Sequence, residues 1–250
     1  MESQKVALIT GCGRRRIGFH VAEALVFRGY SLAIHYNSSK KEAAETLEYF
    51  RGQGVRAVAL HADLADEVGV LSLVQAVQHQ LGRIDLLVNC AAEWKSKALE
   101  EIGADDMRRN LEVNTLATFL CSLQAGLVMV KQPEGGNIIT IGDWATERPY
   151  LNYAAYLVSK GAIPALTRSL AVELGTRNPN VRVNCILPGP VLLPPDLPEA
   201  ERQQAIHGTL VKREGSPKNI AQAVSFFVEN DFVTGVCLPV DGGRSVYAPE

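Results

Sequence analysis

The stretch Val6-Ala7-Leu8-Ile9-Thr10-Gly11-Cys12-Gly13-Arg14-Arg15-Arg16-Ile17-Gly18 decides how the rest of the chain is read. Its opening apolar run is short and does not alternate with polar residues, which suits a strand covered on both faces. A glycine-rich turn follows. From Ile17 onward Val21, Ala24 and Leu25 recur at the three-to-four spacing of an amphipathic helix. Strand, glycine turn and helix together make a place where backbone N–H groups at a helix start can approach a phosphate. The turn is not a strict GxGxxG, because four residues lie between Gly13 and Gly18. Its position after the first strand, more than its spacing, gives it weight.

The same alternation continues outward. Short apolar runs at 32–34, 55–60, 85–89, 137–141, 181–187 and 236–240 read as strands. Helical patterns fill 41–53, 66–80, 107–131, 152–175 and 217–229 between them. The arrangement that buries such strands is one parallel sheet with helices on both faces, a Rossmann-like doubly wound α/β fold. Right-handed crossovers bring the carboxyl ends of the strands to one edge, where ligands bind. The pattern predicts a single domain over 1–250. Its one long irregular stretch, from Pro188 to Thr209, reads as a substrate flap at about 190–210.

Composition narrows the function. The chain has 250 residues, 47% of them hydrophobic and 21% charged, with a formal net charge of −2. That balance argues against nucleic-acid or membrane-surface partners. No stretch reaches the roughly 18 consecutive apolar residues of a membrane span. Five scattered cysteines without a CxxC pair predict a reducing, cytoplasmic setting. The five histidines have no metal-ligand spacing, and no metal is expected.

Two features bear on the cofactor. A site for NAD commonly has an acidic residue near the end of the second strand, to hold the ribose hydroxyls. Here that strand ends His35-Tyr36-Asn37-Ser38-Ser39, with no acid, while Arg14, Arg15 and Arg16 stand in the turn. Guanidinium and hydroxyl donors suit a 2′-phosphate, so NADP(H) is the expected cofactor. Further along, Tyr156 and Lys160 are four apart on a predicted helix and share a face. A phenol with a pKa of about 10 is a poor acid–base at neutral pH, and a neighbouring ammonium is expected to lower that value.

Taken in order, these residues resemble the short-chain dehydrogenase/reductase family. The matching motifs are Thr10 to Gly18, Asp63-Leu64, Asn89-Cys90-Ala91-Ala92, Asn114, Tyr156 with Lys160, Pro188-Gly189 and Asp241-Gly242-Gly243. The resemblance spans essentially the whole chain and implies seven parallel strands in the order 3-2-1-4-5-6-7. It implies Tyr156 as proton donor, Lys160 as its pKa modifier and nicotinamide-ribose ligand, and Asn114 in a water and lysine relay. It places Gly11 and Ile17 in the phosphate turn and Asp63 and Leu64 beside the adenine. Asn89 and Ala91 would lie along the cofactor, and Pro188 and Gly189 would flank the nicotinamide. The turn departs from the family pattern in being one residue longer, with Arg16 where a glycine is usual.

A second departure concerns the chemistry. Most members place a serine thirteen residues before the tyrosine, and here that position is Asp143. A carboxylate would repel the oxyanion of an ordinary ketone reduction, whereas a carboxylic acid can protonate the ring nitrogen of an imine-like substrate. The substitution resembles the pteridine reductase branch. Trp94, five past Asn89, stands where those enzymes stack an aromatic ring on the pterin.

The leading expectation is therefore an NADPH-dependent reductase of a pterin C=N bond, with Tyr156 and Asp143 as proton donors. An NADPH-dependent carbonyl reductase, acting on a 3-oxoacyl thioester for example, is the second reading. A non-catalytic NADP-binding sensor is a third, disfavoured by the joint presence of Asn114, Tyr156 and Lys160. The resemblance also implies a homotetramer built through the helices at about 107–131 and 152–175.

Overall fold

Residues 4–248 are described by the computed structural model of the chain. The strands are β1 (Val6–Thr10), β2 (Ser31–Tyr36), β3 (Ala57–His61), β4 (Leu86–Asn89), β5 (Gly136–Ile141), β6 (Val181–Pro188) and β7 (Cys237–Val240). They form one sheet in the order β3-β2-β1-β4-β5-β6-β7, with every neighbouring pair parallel, as the sequence predicts.

The first five helices are α1 (Ile17–Val26), α2 (Lys40–Arg51), α3 (Glu67–Leu81), α4 (Ala104–Asn110) and α5 (Ala117–Val130). They are followed by α6 (Ala154–Gly175), α7 (Glu199–His207) and α8 (Pro217–Glu229). β1 shows why its run is continuously apolar. Ala7 and Ile9 pack with Phe19 and Leu25 of α1 and Val224 and Phe227 of α8, whereas Val6 and Leu8 pack with α3, α5 and α6 on the other face. Phe227 is fully buried there, and truncating such a side chain to Ala costs roughly 3–5 kcal/mol.

Two expectations need correction. The pattern at 107–131 predicts one regular helix, but a turn of π-helix, Leu111–Leu116, separates α4 from α5. The stretch from Pro188 to Thr209, read as irregular, contains α7. That helix has no buried residue, so it lacks the apolar stripe by which the other helices are recognised. Its signals are polar instead, with Glu199 and Glu201 in the first turn and His207 in the last.

The continuous span Ala104–Val130 is also long and apolar enough to cross a membrane by length and composition. Here its inner side, including Leu120, Cys121, Ala125 and Met129, is buried against the sheet.

The sheet delivers the site. Thr10, Tyr36, Asn89, Ile141 and Pro188 are the last residues of five neighbouring strands, so their backbones converge on one edge.

Candidate active site

The phosphate turn is built from backbone upward. Gly11 has φ +64°, and a Cβ there would lie 2.9 Å from Ala91 Cα. Both facts require glycine. Ala91 N donates to Thr10 Oγ1 at 3.1 Å, joining the ends of β1 and β4. Beneath the turn, Gly11 N donates to His35 Nδ1 at 3.1 Å, and His35 Nε2 lies 3.1 Å from Ala62 O. Those two partners fix the neutral tautomer, with the proton on Nε2. Burial pushes the His35 pKa down to about 4. His35 thus supports the turn from inside the sheet instead of presenting its ring at the surface.

Helix α1 is preceded by Arg16, whose backbone is extended with φ −121°, a conformation that needs no glycine. The helix has no side-chain cap and no acidic residue in its first turn. Its leading N–H groups are suited to an anion, which fits a dinucleotide pyrophosphate. The three arginines divide. Arg14 Nε donates to Glu42 Oε1 at 3.0 Å, and Arg15 lies over the rings of Phe19 and Tyr49 at 4.9 and 5.1 Å. Arg16 is exposed. Ser39 and Tyr36 adjoin Gly13, with Asn37 and Ser38 exposed at the rim. Asp63 is exposed, Leu64 is buried beside it, and Asn89 Nδ2 donates to Ser122 Oγ at 3.0 Å. Gly189 packs so closely on Asp241 that a Cβ would come within 2.5 Å of its Cα.

Asp143, Tyr156 and Lys160 meet where the end of β5 adjoins the start of α6, and Asn114 reaches that helix through Ser159. Tyr156 Oη donates to Asp143 Oδ2 at 2.6 Å, and Asp143 Oδ1 accepts from Ala145 N at 2.9 Å. Burial raises the Asp143 carboxyl above its usual range, against the opposing pull of Tyr156, Ala145 N and Lys160. Tyr156 is raised well above an ordinary phenol by burial first and by the Asp143 charge next.

Lys160 Nζ donates to Ile141 O at 2.8 Å, and burial lowers its own pKa. Asp143 is the hydrogen-bond partner of the phenol.

Asn114 lies on the π-turn and is fully buried. Its Oδ1 accepts from Glu93 N at 2.9 Å, and its Nδ2 donates to Glu93 O at 3.1 Å and to Ser159 Oγ at 3.0 Å. Ser159 Oγ in turn donates to Tyr156 O at 2.6 Å. Asn114 thereby ties the segment after β4 to the helix that carries Tyr156 and Lys160. Ser159 and Glu93 were not apparent from sequence, because their roles depend on contacts between distant segments.

An aromatic group covers the mouth. Trp94 stacks on Tyr153 with centroids 4.9 Å apart and planes at 15°, and its Nε1 donates to Tyr150 Oη at 3.1 Å. Trp94 remains 40% exposed. Tyr153 in turn meets Tyr156 edge-on at 6.1 Å. Beside them a cleft of about 300 Å³ is lined by Glu93, Lys97, Asp106, Arg109, Tyr153 and Tyr156. Its charges are paired, Lys97 with Asp106 at 2.7 Å and Arg109 with Glu93 at 3.0 Å. The segment after β6 is fastened as well. Glu214 accepts from Leu193 N at 3.0 Å and pairs with Arg202 at 2.7 Å, while Arg202 donates to Pro194 O at 2.9 Å.

A doubly wound sheet, a phosphate turn and a buried tyrosine–lysine pair at the strand ends together define a nicotinamide-dependent oxidoreductase. The family profile described as enoyl-(acyl carrier protein) reductase matches residues 11–245. A short-chain type dehydrogenase/reductase of Picea abies is 31% identical, over 96% of this chain and 92% of its own. The acetoin dehydrogenase of Enterobacter cloacae superposes with a TM-score of 0.89 at 30% identity, covering 100% of this chain and 99% of its own. A blue fluorescent protein from a metagenomic library, solved in complex with NADPH, gives a TM-score of 0.87 at 33% identity, covering 96% and 97%. The chain belongs to the short-chain dehydrogenase/reductase family and is an oxidoreductase acting on a small-molecule substrate.

Proposed function

We propose that this protein is an NADPH-dependent reductase of a pterin or a related flat heterocycle with a C=N bond. The observation that carries the reading is the 2.6 Å contact between Tyr156 Oη and Asp143 Oδ2, with Asp143 at the position where most family members have serine. Burial favours the neutral form of both acids, so the pair can hold protons for delivery to a basic ring nitrogen. NADPH supplies the hydride when bound. One proton from Tyr156 or Asp143 completes the conversion of C=N to CH–NH, and solvent restores the donor. Trp94 and Tyr153 offer π faces suited to a flat ring.

The uncapped N–H of Ile17 at the start of α1 would hold the pyrophosphate, with Gly11 allowing the close backbone approach. Arg14, Arg15 and Arg16, with Tyr36, Asn37 and Ser38 beside them, would read the 2′-phosphate. Asp63, Leu64, Asn89 and Ala91 would line the remainder of the cofactor. Pro188 and Gly189 would flank its nicotinamide, with Lys160 on the ribose.

The test is loss of NADPH absorbance with dihydrobiopterin, run beside an acetoacetyl thioester. Turnover with the pterin that collapses in Asp143→Ala supports the reading. Undiminished pterin turnover in that variant overturns the proposed proton donor.

A second reading, carbonyl reduction, is favoured by the structural likeness to a protein named acetoin dehydrogenase. In that chemistry a protonated Asp143 would donate to the carbonyl oxygen. Turnover with the thioester alone would select it.

We further propose a homotetramer in which α5 and α6 face other copies. Leu111, Leu116, Phe119 and Leu166 line an apolar groove on that side. Light scattering that returned the mass of one chain would overturn this assembly.

A further inference from the structure

We propose that Cys185 and Cys237 form a reversible dithiol–disulfide pair, in which Cys237 is the sulfur that first meets a peroxide or a small disulfide. Cys185 on β6 and Cys237 on β7 are direct register partners. Residues in register on neighbouring strands project to the same side of the sheet. Such strands lie about 4.8 Å apart, within the Cα separation of roughly 4.4–6.8 Å that a disulfide requires. Both side chains belong to one small apolar cluster with Ile163 and Leu187.

The two sulfurs are not equivalent. Cys185 is buried and Cys237 is half-buried, so an oxidant reaches Cys237 first. Arg168 Nη1 lies 3.7 Å from Cys237 Sγ, on the next helix over the sheet. The Cys185 thiol and the Arg168 guanidinium pull Cys237 below an ordinary thiol pKa, while burial and the Glu147 carboxylate oppose them. Cys185 is raised and stays a thiol, although its Sγ also reaches Ile186 O at 3.5 Å. Burial raises Cys12, Cys90 and Cys121 as well, which leaves Cys237 as the activated sulfur among the five.

With hydrogen peroxide, the Cys237 thiolate attacks one oxygen. The O–O bond breaks, hydroxide leaves, and Cys237 becomes a sulfenic acid. The Cys185 sulfur then attacks that sulfur. The S–S bond forms as the S–O bond breaks, and the departing hydroxide takes the Cys185 proton and leaves as water. Two thiols are oxidised and one peroxide is reduced to water. With a small disulfide, a mixed disulfide at Cys237 is resolved by Cys185 with release of two small thiols, and a dithiol reductant reverses either route. The resulting tie joins β7, the edge strand, to β6, which ends in Pro188 at the candidate site.

The test treats the reduced full chain with hydrogen peroxide, blocks free thiols with iodoacetamide and maps peptides by mass. We expect a cross-linked peptide joining Cys185 to Cys237, lighter by two hydrogens and restored by dithiothreitol. In Cys185→Ser the cross-link is lost and dimedone traps a sulfenic acid at Cys237. In Arg168→Gln, with circular dichroism unchanged, alkylation of Cys237 at neutral pH slows several-fold. Peroxide treatment that leaves both thiols open to alkylation in the folded chain would overturn the pair. Modification of Cys90 ahead of Cys237, or unchanged alkylation in Arg168→Gln, would overturn the activation of Cys237.

Discussion

Tyr156 Oη donates to Asp143 Oδ2 across 2.6 Å, while Lys160, on the same face of α6, donates to the carbonyl of Ile141. On the proposed function, the proton donor is shared between a phenol and a carboxyl. With Asp143 raised by burial, the protonated pair is present at low pH and is lost as pH climbs through the raised value. We expect kcat to fall on that alkaline limb in the native chain. Asp143→Asn keeps a donor but cannot lose a proton, so its limb should flatten. Asp143→Ala should lower kcat about 100-fold, the lower range for a positioned acid. A pH–rate profile of the three proteins checks this, and an unchanged limb in Asp143→Asn would assign the titration elsewhere.

The arginines of the phosphate turn make a separate prediction. Arg14 and Arg15 are held by Glu42 and by Phe19 with Tyr49, which preorganises them at the rim where Asn37 and Ser38 are exposed. A charge-assisted hydrogen bond is worth about 1.5–3 kcal/mol, so Arg14→Ala with Arg15→Ala should weaken NADPH at least roughly 10-fold. NADH binding should change little. Fluorescence titration of both nucleotides decides it, and equal weakening of the two would remove the 2′-phosphate from the account.

Much of the frame is legible in the sequence for a physical reason. Runs such as Val6 to Ile9 are apolar on both faces because helices cover both faces, and that demand reappears at each central strand. Tyr156 and Lys160 are legible because helical spacing alone puts them together. Ser159, Glu93 and Tyr153 are not, since Ser159 and Glu93 acquire their partner only when the π-turn brings Asn114 between them, and Tyr153 only when Trp94 folds onto it. The π-turn at Asn114 is hidden because periodicity reports which residues are apolar and leaves the backbone hydrogen-bond spacing unread. The packing of His35 is hidden in a related way. Its place at the strand end shows in the sequence, while its bonds to Gly11 N and Ala62 O do not.

The flap anchor predicts a change in substrate affinity. Glu214 holds Leu193 N and Arg202, and Arg202 holds Pro194 O, so one carboxylate fastens both arms of the loop. Glu214→Gln should raise KM for the substrate several-fold with kcat within about two-fold, because the acid pair is untouched. Limited proteolysis should quicken between Leu193 and Arg202. Arg202→Met should mimic it, and the double variant should be no worse than either alone. Additive losses would mean that the two residues act independently.

His35 predicts how stability depends on pH. Its pKa falls from 6.5 unfolded to about 4 folded, because the neutral ring is buried between Gly11 N and Ala62 O. Between those values the unfolded chain binds the extra proton, so stability rises with pH across this window. The contribution is fully present above pH 6.5 and is lost progressively on acidification toward pH 4, by about 3 kcal/mol at most. His35→Gln has no titrating ring. It should be less stable than the native chain at neutral pH, by roughly 1–3 kcal/mol for the disturbed buried bonds. Its urea midpoint should then decline less than the native one between pH 6.5 and 4. Carboxylates elsewhere titrate equally in both proteins, so the difference between the two curves isolates His35. Parallel curves would show that the ring beneath the phosphate turn does not control the acid response.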